Sequence, residues 1–293
     1  MINRRMLLGA AAGAGLLAAI PAGAKKTRVY GSPRLTAAIA ALEGESGGRL
    51  GVALTDTGSG AHFGWRGAER FAMCSTFKFL LAAATLNRAD RGLERLDRTV
   101  PIVQSDILAN SPATEKLVGK GATVAALCQA TLQLSDNAAA NLLLVPLGGP
   151  AGFTRFLRAA GDPVTRLDRT EPMMNLSAPG DPRDTTTPEA MNGDIGRFLL
   201  GHVLKPASRA QLNAWMVANK TGDNRIRAGT PSGWIVADKT GTSGKGNFND
   251  LALLRPPGRA PILLSLYLAE SKLESAASEA ILARATRALL AEL

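Results

Sequence analysis

Strand-like segments occur near both ends of the chain, and a long helix-rich stretch separates them. Residues 50–56 and 61–65 flank Thr57-Gly58-Ser59-Gly60, a turn-rich link that predicts a β-hairpin. Three later strands are predicted at 234–240, 250–255 and 262–269. Strands so far apart form one sheet only if the chain ends meet, so the sequence predicts an α/β (α+β) fold: an antiparallel sheet from both ends, flanked by helices, with an inserted all-α lobe. A ligand site is expected in the cleft between the lobes.

The predicted lobes have defined boundaries. Residues 25–66 and 217–293 form the α/β lobe, and residues 67–216 form the all-α lobe. Apolar residues at helical spacing, beginning with Leu35 and ending with Leu289, predict an opening and a closing helix. Helices are predicted between them at 75–89, 123–133, 137–147, 152–160, 187–204 and 208–219.

The first 24 residues have the pattern of a signal peptide. Arg4 and Arg5 precede an uncharged stretch at 6–20, and Ala22-Gly23-Ala24 has the small-x-small form of a cleavage site. The stretch is short for a spanning helix, so an uncleaved anchor is the minor alternative. We expect an exported, periplasmic protein with no membrane contact after cleavage; the twin-arginine and Sec routes both fit the paired arginines.

Composition disfavours several kinds of function. The chain has only two histidines, His62 and His202, whereas a catalytic zinc site usually takes three protein ligands, so no metal or other cofactor is expected. Both histidines lie in apolar sequence, which disfavours a Ser-His-Asp triad and leaves lysine or a carboxylate as the base of any hydrolase. The net charge is +10, but basic residues are scattered and aromatic residues make up only 4%, so nucleic acid is not an expected partner.

Ser75-Thr76-Phe77-Lys78 is the first candidate for chemistry. It lies where an extended segment turns into a predicted helix, and positions i and i+3 share one helix face. A serine hydroxyl is unreactive until a base accepts its proton, and a lysine with a lowered pKa can be that base. The motif alone is weak, because serine is also a common helix cap and lysine a common surface residue.

Two further motifs follow in a fixed order. Ser135-Asp136-Asn137 lies between two predicted helices, and Lys239-Thr240-Gly241 closes a predicted strand. Together with Ser75 and Lys78, these motifs resemble the penicillin-recognising serine enzymes.

A fourth segment, residues 166–184, resembles the Ω-loop of class A β-lactamases, so the resemblance covers essentially the whole mature chain. It implies that Glu171 is the water-activating base and that Asn175 helps to hold the water. It also implies an ion pair between Arg169 and Asp184 at the neck of the loop and a cis bond before Pro172.

The resemblance implies acyl transfer to water. Ser75 attacks the β-lactam carbonyl, and the backbone N–H groups of Ser75 and Thr242 stabilise the oxyanion. Either Lys78, or Glu171 through water, takes the serine proton. Ser135, assisted by Lys239, relays a proton to the departing nitrogen, and water activated by Glu171 then releases the product.

The substrate-binding residues follow from the same resemblance, with two departures. Predicted binding residues are Asn137, Asn175, Lys239, Thr240, Gly241, Thr242 and Arg225. Many members bind the substrate carboxylate with an arginine at the position of Phe248, so Arg225 from the preceding segment is expected to act with Thr240 and Ser135 instead. Asn110 stands where many members have an aromatic residue, which removes an expected stacking contact.

The two cysteines have each lost the partner that the family would supply. An exported chain with two cysteines suggests one disulfide by default. In the family, however, the Cys128 position pairs with the position of Ala82, and in carbapenem-hydrolysing members the Cys74 position pairs with that of Ser243. The sequence therefore predicts two free thiols.

Three functions are compatible with these residues. The first is a monomeric class A β-lactamase that hydrolyses penicillins and cephalosporins and confers antibiotic resistance. The second is a D-alanyl-D-alanine peptidase, or penicillin-binding protein, which shares the three motifs but is disfavoured by Glu171 and Asn175. The third is an inert binder of β-lactams or muropeptides, which the intact Ser75, Lys78 and Glu171 disfavour.

Overall fold

A computed structural model describes residues 30–176 and 178–293 of the protein. The predicted signal peptide, residues 1–24, lies outside this range. Within the described residues, no helix combines the length and the apolar character needed to cross a membrane.

The main sheet is antiparallel and combines strands from both ends of the chain. Its strand order is β2-β1-β9-β8-β7, so the amino-terminal hairpin lies beside the carboxyl-terminal strands. The strands are β1 (Arg49–Asp56), β2 (His62–Trp65), β3 (Phe71–Ala72), β4 (Thr99–Val100), β5 (Ala122–Thr123), β6 (Thr185–Thr186), β7 (Ile235–Ser243), β8 (Asn247–Arg255) and β9 (Ile262–Ala269). In the register of β1 and β9, Val52 lies opposite Leu266, and this pairing joins the two chain ends. The predicted α/β fold with an antiparallel sheet is confirmed.

Helices cover both faces of the sheet. The helices are α1 (Pro33–Ser46), α2 (Phe77–Asp90), α3 (Val124–Gln133), α4 (Asn137–Leu144), α5 (Gly149–Ala160), α6 (Pro188–Leu199), α7 (Pro206–Val217), α8 (Ile226–Gly229) and α9 (Ser275–Leu290). On one face α1 and α9 pack together, and Ile39 of α1 and Leu282 of α9 are fully buried. On the other face α6 packs against β1 and β9. Burial of apolar area on both faces stabilises the sheet.

Local chemistry explains several helix ends. The Ser32 hydroxyl accepts a hydrogen bond from the N–H of Leu35 and caps α1, and Thr123 and Thr187 cap α3 and α6 in the same way. Gly161 ends α5 with φ 97°, a left-handed conformation that a side chain would disfavour.

Some predicted boundaries were wrong. The helix predicted at 137–147 ends at Leu144 and continues as a 3-10 turn, because Pro146 lacks the N–H that an α-helix would need there. The helix predicted at 187–204 ends at Leu199, where the N–H of Gly201 turns back to the carbonyl of Gly196. Helix α8 was not predicted from the sequence.

The segment predicted as an all-α lobe also contains short strand pairs. Strand β3 pairs with β6, and β4 pairs with β5, with two residues in each strand. The pairing of β3 with β6 holds the two residues that follow the Ω-loop segment against the chain that enters the nucleophile motif. The lobe boundaries at residues 66 and 217 stay a prediction.

Candidate active site

The candidate nucleophile lies on a sharp turn between β3 and α2. Residues Cys74–Thr76 form a 3-10 turn before α2, where the sequence predicted an α-helix from Ser75. Cys74 has φ 47°, so the chain bends abruptly just before Ser75. Side-chain hydrogen bonds hold this turn: Thr76 Oγ1 donates to the carbonyl of Met73, and Asn249 Nδ2 donates to the same carbonyl from β8.

Strand β7 passes very close to this turn. A Cβ atom on Gly241 would lie 2.7 Å from the Met73 carbonyl oxygen and 3.1 Å from the Ser75 nitrogen. Only glycine allows this approach, which places the predicted oxyanion donors, the N–H groups of Ser75 and Thr242, on adjacent segments.

Lys78 is the centre of the polar contacts around Ser75. Its side chain is fully buried, and Nζ lies 3.0 Å from Ser75 Oγ. Nζ also lies 2.8 Å from the carbonyl oxygen of Ser135 and 2.6 Å from Asn137 Oδ1. Glu171 Oε1, equally buried, is 3.1 Å from the same nitrogen. The structure therefore brings together side chains from α2, α4 and the Ω-loop that are distant in the sequence.

Burial changes the protonation chemistry of Lys78. Desolvation in this enclosed position lowers its pKa, and the nearby Glu171 carboxylate opposes that effect. An amine whose pKa is lowered reaches its neutral, proton-accepting form more easily than a surface lysine does.

Glu171 is oriented by two asparagines. Asn175 Nδ2 donates to Glu171 Oε2 at 2.6 Å. Asn141 on α4 binds the backbone of Glu171 twice: its Oδ1 accepts from the N–H at 3.0 Å, and its Nδ2 donates to the carbonyl at 2.9 Å. Asn141 was not predicted from the sequence, although it lies one helical turn after Asn137 and so faces the same side of α4.

The neck of the Ω-loop is closed by a buried carboxylate. Asp184 Oδ2 accepts from Arg169 Nε at 2.6 Å, and Oδ1 accepts from the N–H groups of Asp168 and Arg169. The bond between Glu171 and Pro172 is cis. Both features are the ones that the resemblance implied.

Ser135 faces both lysines of the site. Its Oγ lies 3.4 Å from Lys78 Nζ and 3.2 Å from Lys239 Nζ. Ser135 has φ 57°, and Asn110 holds this conformation because its Nδ2 donates to the Ser135 carbonyl at 2.9 Å. Asn110 therefore stabilises the loop that carries Ser135, from the position where many family members have a stacking aromatic residue.

Asp136 anchors the same loop. Its carboxylate accepts from the N–H groups of Ala113, Thr114 and Ala139 and from the Thr114 hydroxyl, and it is fully buried. This anchoring role was not predicted from the sequence, in which Asp136 is only the middle residue of the motif.

Lys239 lies on β7, fully buried, with Nζ also 2.8 Å from the Thr240 carbonyl. Burial and the positive charge of Lys78 lower the pKa of Lys239 to about 7, while Asp238 and Asp250 oppose the shift. The charge of this lysine therefore depends on pH in the neutral range.

Arg225 is buried beside the end of β7. Its guanidinium lies 5.6 Å from the ring centre of Phe248, the residue that replaces the arginine found in many family members. Each of its five N–H groups has an acceptor in the protein, and one of them is Thr242 Oγ1, 2.7 Å from Nη2. Two of the five N–H groups donate to Glu279 Oε1, so this carboxylate partly offsets the positive charge of Arg225. Arg225 also holds the Thr242 hydroxyl.

Both cysteines are free and buried, which confirms the prediction of two free thiols. Burial and the negative charge of Glu171 raise the pKa of Cys74 to about 12, and burial raises that of Cys128 to about 12. Neither thiol is poised to act as a nucleophile. Within residues 30–176 and 178–293, no group of three or more histidine, cysteine or acidic residues could hold a metal ion.

Comparisons with known proteins agree with the site. Residues 34–293 match the model of the β-lactamase enzyme family. β-Lactamase L2 of Stenotrophomonas maltophilia is 52% identical over 237 residues, which cover 80% of this chain and 78% of that protein. β-Lactamase CTX-M-8 of Citrobacter amalonaticus is 47% identical over 249 residues, covering 85% and 86% of the two chains.

Solved structures show the same similarity. An ancestral class A β-lactamase (GNCA) superposes with a TM-score of 0.87 at 57% identity, covering 88% of this chain and all of that one. A β-lactamase of Xanthomonas campestris superposes with the same TM-score at 52% identity, covering 88% and 97%.

Proposed function

The chain belongs to the class A serine β-lactamases and hydrolyses β-lactams, and from that premise we propose that it acts on penicillins and cephalosporins through an acyl-enzyme on Ser75. The observation that carries this proposal is the position of Lys78 Nζ, 3.0 Å from Ser75 Oγ and 3.1 Å from Glu171 Oε1 in a buried cluster. This hydrolysis confers antibiotic resistance.

Lys78 is the base for acylation in this proposal. The carbonyl of Ser135 and Oδ1 of Asn137 can only accept hydrogen bonds, so they hold two protons of the amine. Transfer of the third proton to Glu171 leaves a neutral amine with a free lone pair on Nζ, 3.0 Å from Ser75 Oγ. Lys78 then takes the Ser75 proton while Oγ bonds to the lactam carbonyl carbon.

The tetrahedral intermediate is stabilised by the N–H groups of Ser75 and Thr242. Removing one such donor typically raises the barrier by roughly 3 kcal/mol. As the carbon–nitrogen bond breaks, Ser135 gives its proton to the departing nitrogen. Ser135 regains a proton from Lys78, whose Nζ lies 3.4 Å from its Oγ, while Lys239 Nζ, 3.2 Å from the same oxygen, assists with its positive charge.

Glu171 completes the cycle. Once Lys78 has given up a proton through Ser135, the proton on Glu171 returns to Lys78 Nζ, 3.1 Å away. The restored carboxylate takes a proton from a water molecule that Asn175 helps to hold, and the resulting hydroxide attacks the acyl carbon. The bond between that carbon and Ser75 Oγ breaks, and the proton held by Glu171 returns to the Ser75 oxygen. Arg169, Asp184 and Pro172 hold the loop that presents Glu171.

The side of the site formed by β7, which we call the strand side, binds the substrate carboxylate. Thr240, Thr242 and Ser135 supply hydroxyl groups, Lys239 and Arg225 supply positive charge, and Gly241 leaves room for the substrate. Asn137 binds the substrate amide.

The wider biology is part of the same proposal. Cleavage of residues 1–24 would release a periplasmic monomer, and this is supported by Arg4, Arg5 and the uncharged stretch after them. The helical lobe at 67–216 and the two-part α/β lobe would then enclose the cleft.

A chromogenic cephalosporin tests the function. Wild-type protein should turn the compound over many times, and Ser75→Ala should not. A single equivalent of colour, with a stable covalent adduct, would instead indicate a D-alanyl-D-alanine peptidase. Absence of any reaction would indicate an inert binder and contradict the proposal.

A further inference from the structure

Two threonines on β7 face the proposed carboxylate site, and the protein treats their hydroxyl groups differently. Thr240 and Thr242 are two residues apart, so their side chains lie on the same face of the strand. A hydroxyl group has one proton to donate and two lone pairs that accept. The partner of each hydroxyl therefore decides where its proton points.

The chain of contacts behind Thr240 begins at Asn219. The backbone N–H of Thr221 donates to Asn219 Oδ1 at 3.0 Å, and a backbone N–H can only donate. On the other side of the amide, Nδ2 donates to Asp238 Oδ2 at 2.6 Å. Both contacts fix the same orientation, with the amide oxygen of Asn219 towards Thr221.

This orientation decides the direction of the next two hydrogen bonds. Thr221 Oγ1 lies 2.8 Å from Asn219 Oδ1, and because that oxygen only accepts, the Thr221 hydroxyl donates its single proton to it. Thr221 Oγ1 also lies 2.5 Å from Thr240 Oγ1. Since the Thr221 hydroxyl donates its only proton to Asn219, Thr240 is the donor in the contact between the two threonines. The Thr240 proton thus points away from the substrate.

Thr242 has the opposite arrangement. Arg225 Nη2 donates to Thr242 Oγ1 at 2.7 Å, and a guanidinium group has no acceptor. The Thr242 oxygen is therefore occupied as an acceptor, which leaves its proton to be donated elsewhere. Thr242 is also exposed, whereas Thr240 is buried.

We propose that Thr221 is a positioning residue for substrate binding: it holds the Thr240 hydroxyl proton in the free enzyme, so that Thr242 donates to the substrate carboxylate first and Thr240 joins only after giving up its bond to Thr221. The proposal rests on the proposed role of Thr240 in carboxylate binding. When Thr240 turns, the Thr221 hydroxyl donates to it instead of to Asn219, and the Asn219 oxygen keeps only the Thr221 N–H.

This exchange makes substrate binding weaker than it would be with a free Thr240 hydroxyl. Thr221→Val is nearly isosteric but removes the acceptor, so the Thr240 proton becomes available without breaking an internal hydrogen bond. We expect KM for a penicillin to fall by about threefold to tenfold, the range that one ordinary hydrogen bond represents. The value of kcat should stay unchanged, because Thr221 has no contact with Lys78 or Glu171.

Two further variants separate this role from a general structural effect. Thr221→Ser keeps the hydroxyl group and should restore the wild-type KM. Thr240→Val removes the hydroxyl that Thr221 holds, so adding Thr221→Val to it should produce no further change in KM.

The experiment is a comparison of KM and kcat for wild type, Thr221→Val, Thr221→Ser, Thr240→Val and the Thr221→Val/Thr240→Val double variant. A fall in KM confined to Thr221→Val, at constant kcat, supports the proposal. An unchanged or raised KM in Thr221→Val would overturn it, as would an equal fall in KM when Thr240 is already valine. Lack of turnover in the wild type would contradict the proposed function instead, so the two failures are distinguishable.

Discussion

The two sides of the site satisfy their charges in different ways. On the side formed by α2, α4 and the Ω-loop, Lys78 and Glu171 are fully buried and contact each other and the nucleophile region directly. On the side formed by β7, Lys239 contacts a carbonyl and a serine hydroxyl, and Arg225 is saturated by acceptors of the protein.

This difference separates two tasks. A lysine and a carboxylate in direct contact can exchange a proton, which suits the side that carries out bond making and breaking. The N–H groups of Arg225 are all occupied, so its guanidinium cannot rearrange easily, but its charge, that of Lys239 and the Thr242 hydroxyl that Arg225 orients suit the binding of an anion. Variants on the helical side should therefore change mainly kcat, and variants on the strand side mainly KM.

The largest effect is expected from Lys78→Met. Loss of the base should lower kcat by roughly 10²- to 10⁴-fold, the usual contribution of a positioned acid or base. KM should change far less. Steady-state kinetics with a penicillin checks this, and Lys116→Met, at an exposed lysine, serves as control. A large rise in KM at constant kcat in Lys78→Met would contradict the assignment of bond making and breaking to this side of the site.

Arg169→Met tests how the helical side is held. It leaves the Asp184 carboxylate buried without its cation, and we expect the free energy of unfolding to fall by about 2–3 kcal/mol, less than for a fully buried pair because Arg169 is partly exposed. Denaturant titration measures this change. Arg183→Met removes the exposed partner of Asp181 and should leave the unfolding midpoint unchanged. Equal changes in the free energy of unfolding in the two variants would show that the ion pair between Arg169 and Asp184 stabilises the protein no more than an exposed pair does.

Arg225→Ala tests the strand side. Loss of the buried charge and of the contact that orients Thr242 should raise KM for penicillins by about tenfold, because the Thr242 hydroxyl then donates less well to the substrate carboxylate. The kcat value should fall much less. Arg284→Ala, which removes an exposed arginine paired with Glu45, is the control. Unchanged kinetics in Arg225→Ala would show that residues other than Arg225 bind the substrate carboxylate.

The smallest effect is a pH dependence on the strand side. Lys239 has a pKa lowered to about 7, so it is charged below that pH and loses its proton as pH rises above it. KM for a penicillin should therefore rise severalfold between pH 6 and pH 9, because a positive charge near the substrate carboxylate disappears. Lys239→Arg keeps its charge over this range and should flatten the profile. A KM that is independent of pH in the wild type would contradict this role.

The sequence predicted the sheet and most of the site for a physical reason. Strands β8 and β9 are buried on both faces, and such strands appear in a sequence as short, nearly continuous apolar runs bounded by turn residues, a pattern that residues 250–255 and 262–269 carry clearly. The motifs around Ser75, Ser135 and Lys239 and the Ω-loop residue Glu171 were recognisable because they resemble a known family.

Other features depend on contacts between distant segments, which no local pattern records. Asn141 binds the backbone of Glu171, and Thr221 contacts Thr240 across 19 positions of sequence. The saturation of Arg225 depends on carbonyls of β7 and β8 and on Glu279 of α9. Such residues become visible only when the fold places their partners.

The most direct test of the division between the two sides is intact-mass measurement after mixing with a penicillin. Glu171→Ala should form a long-lived adduct of one acyl group on Ser75, because the strand side still binds substrate and Lys78 still supports acylation, whereas water is no longer activated. Arg225→Ala should accumulate no adduct, because its deacylation machinery is intact. Rapid loss of the adduct in Glu171→Ala, or a persistent adduct in Arg225→Ala, would contradict the account.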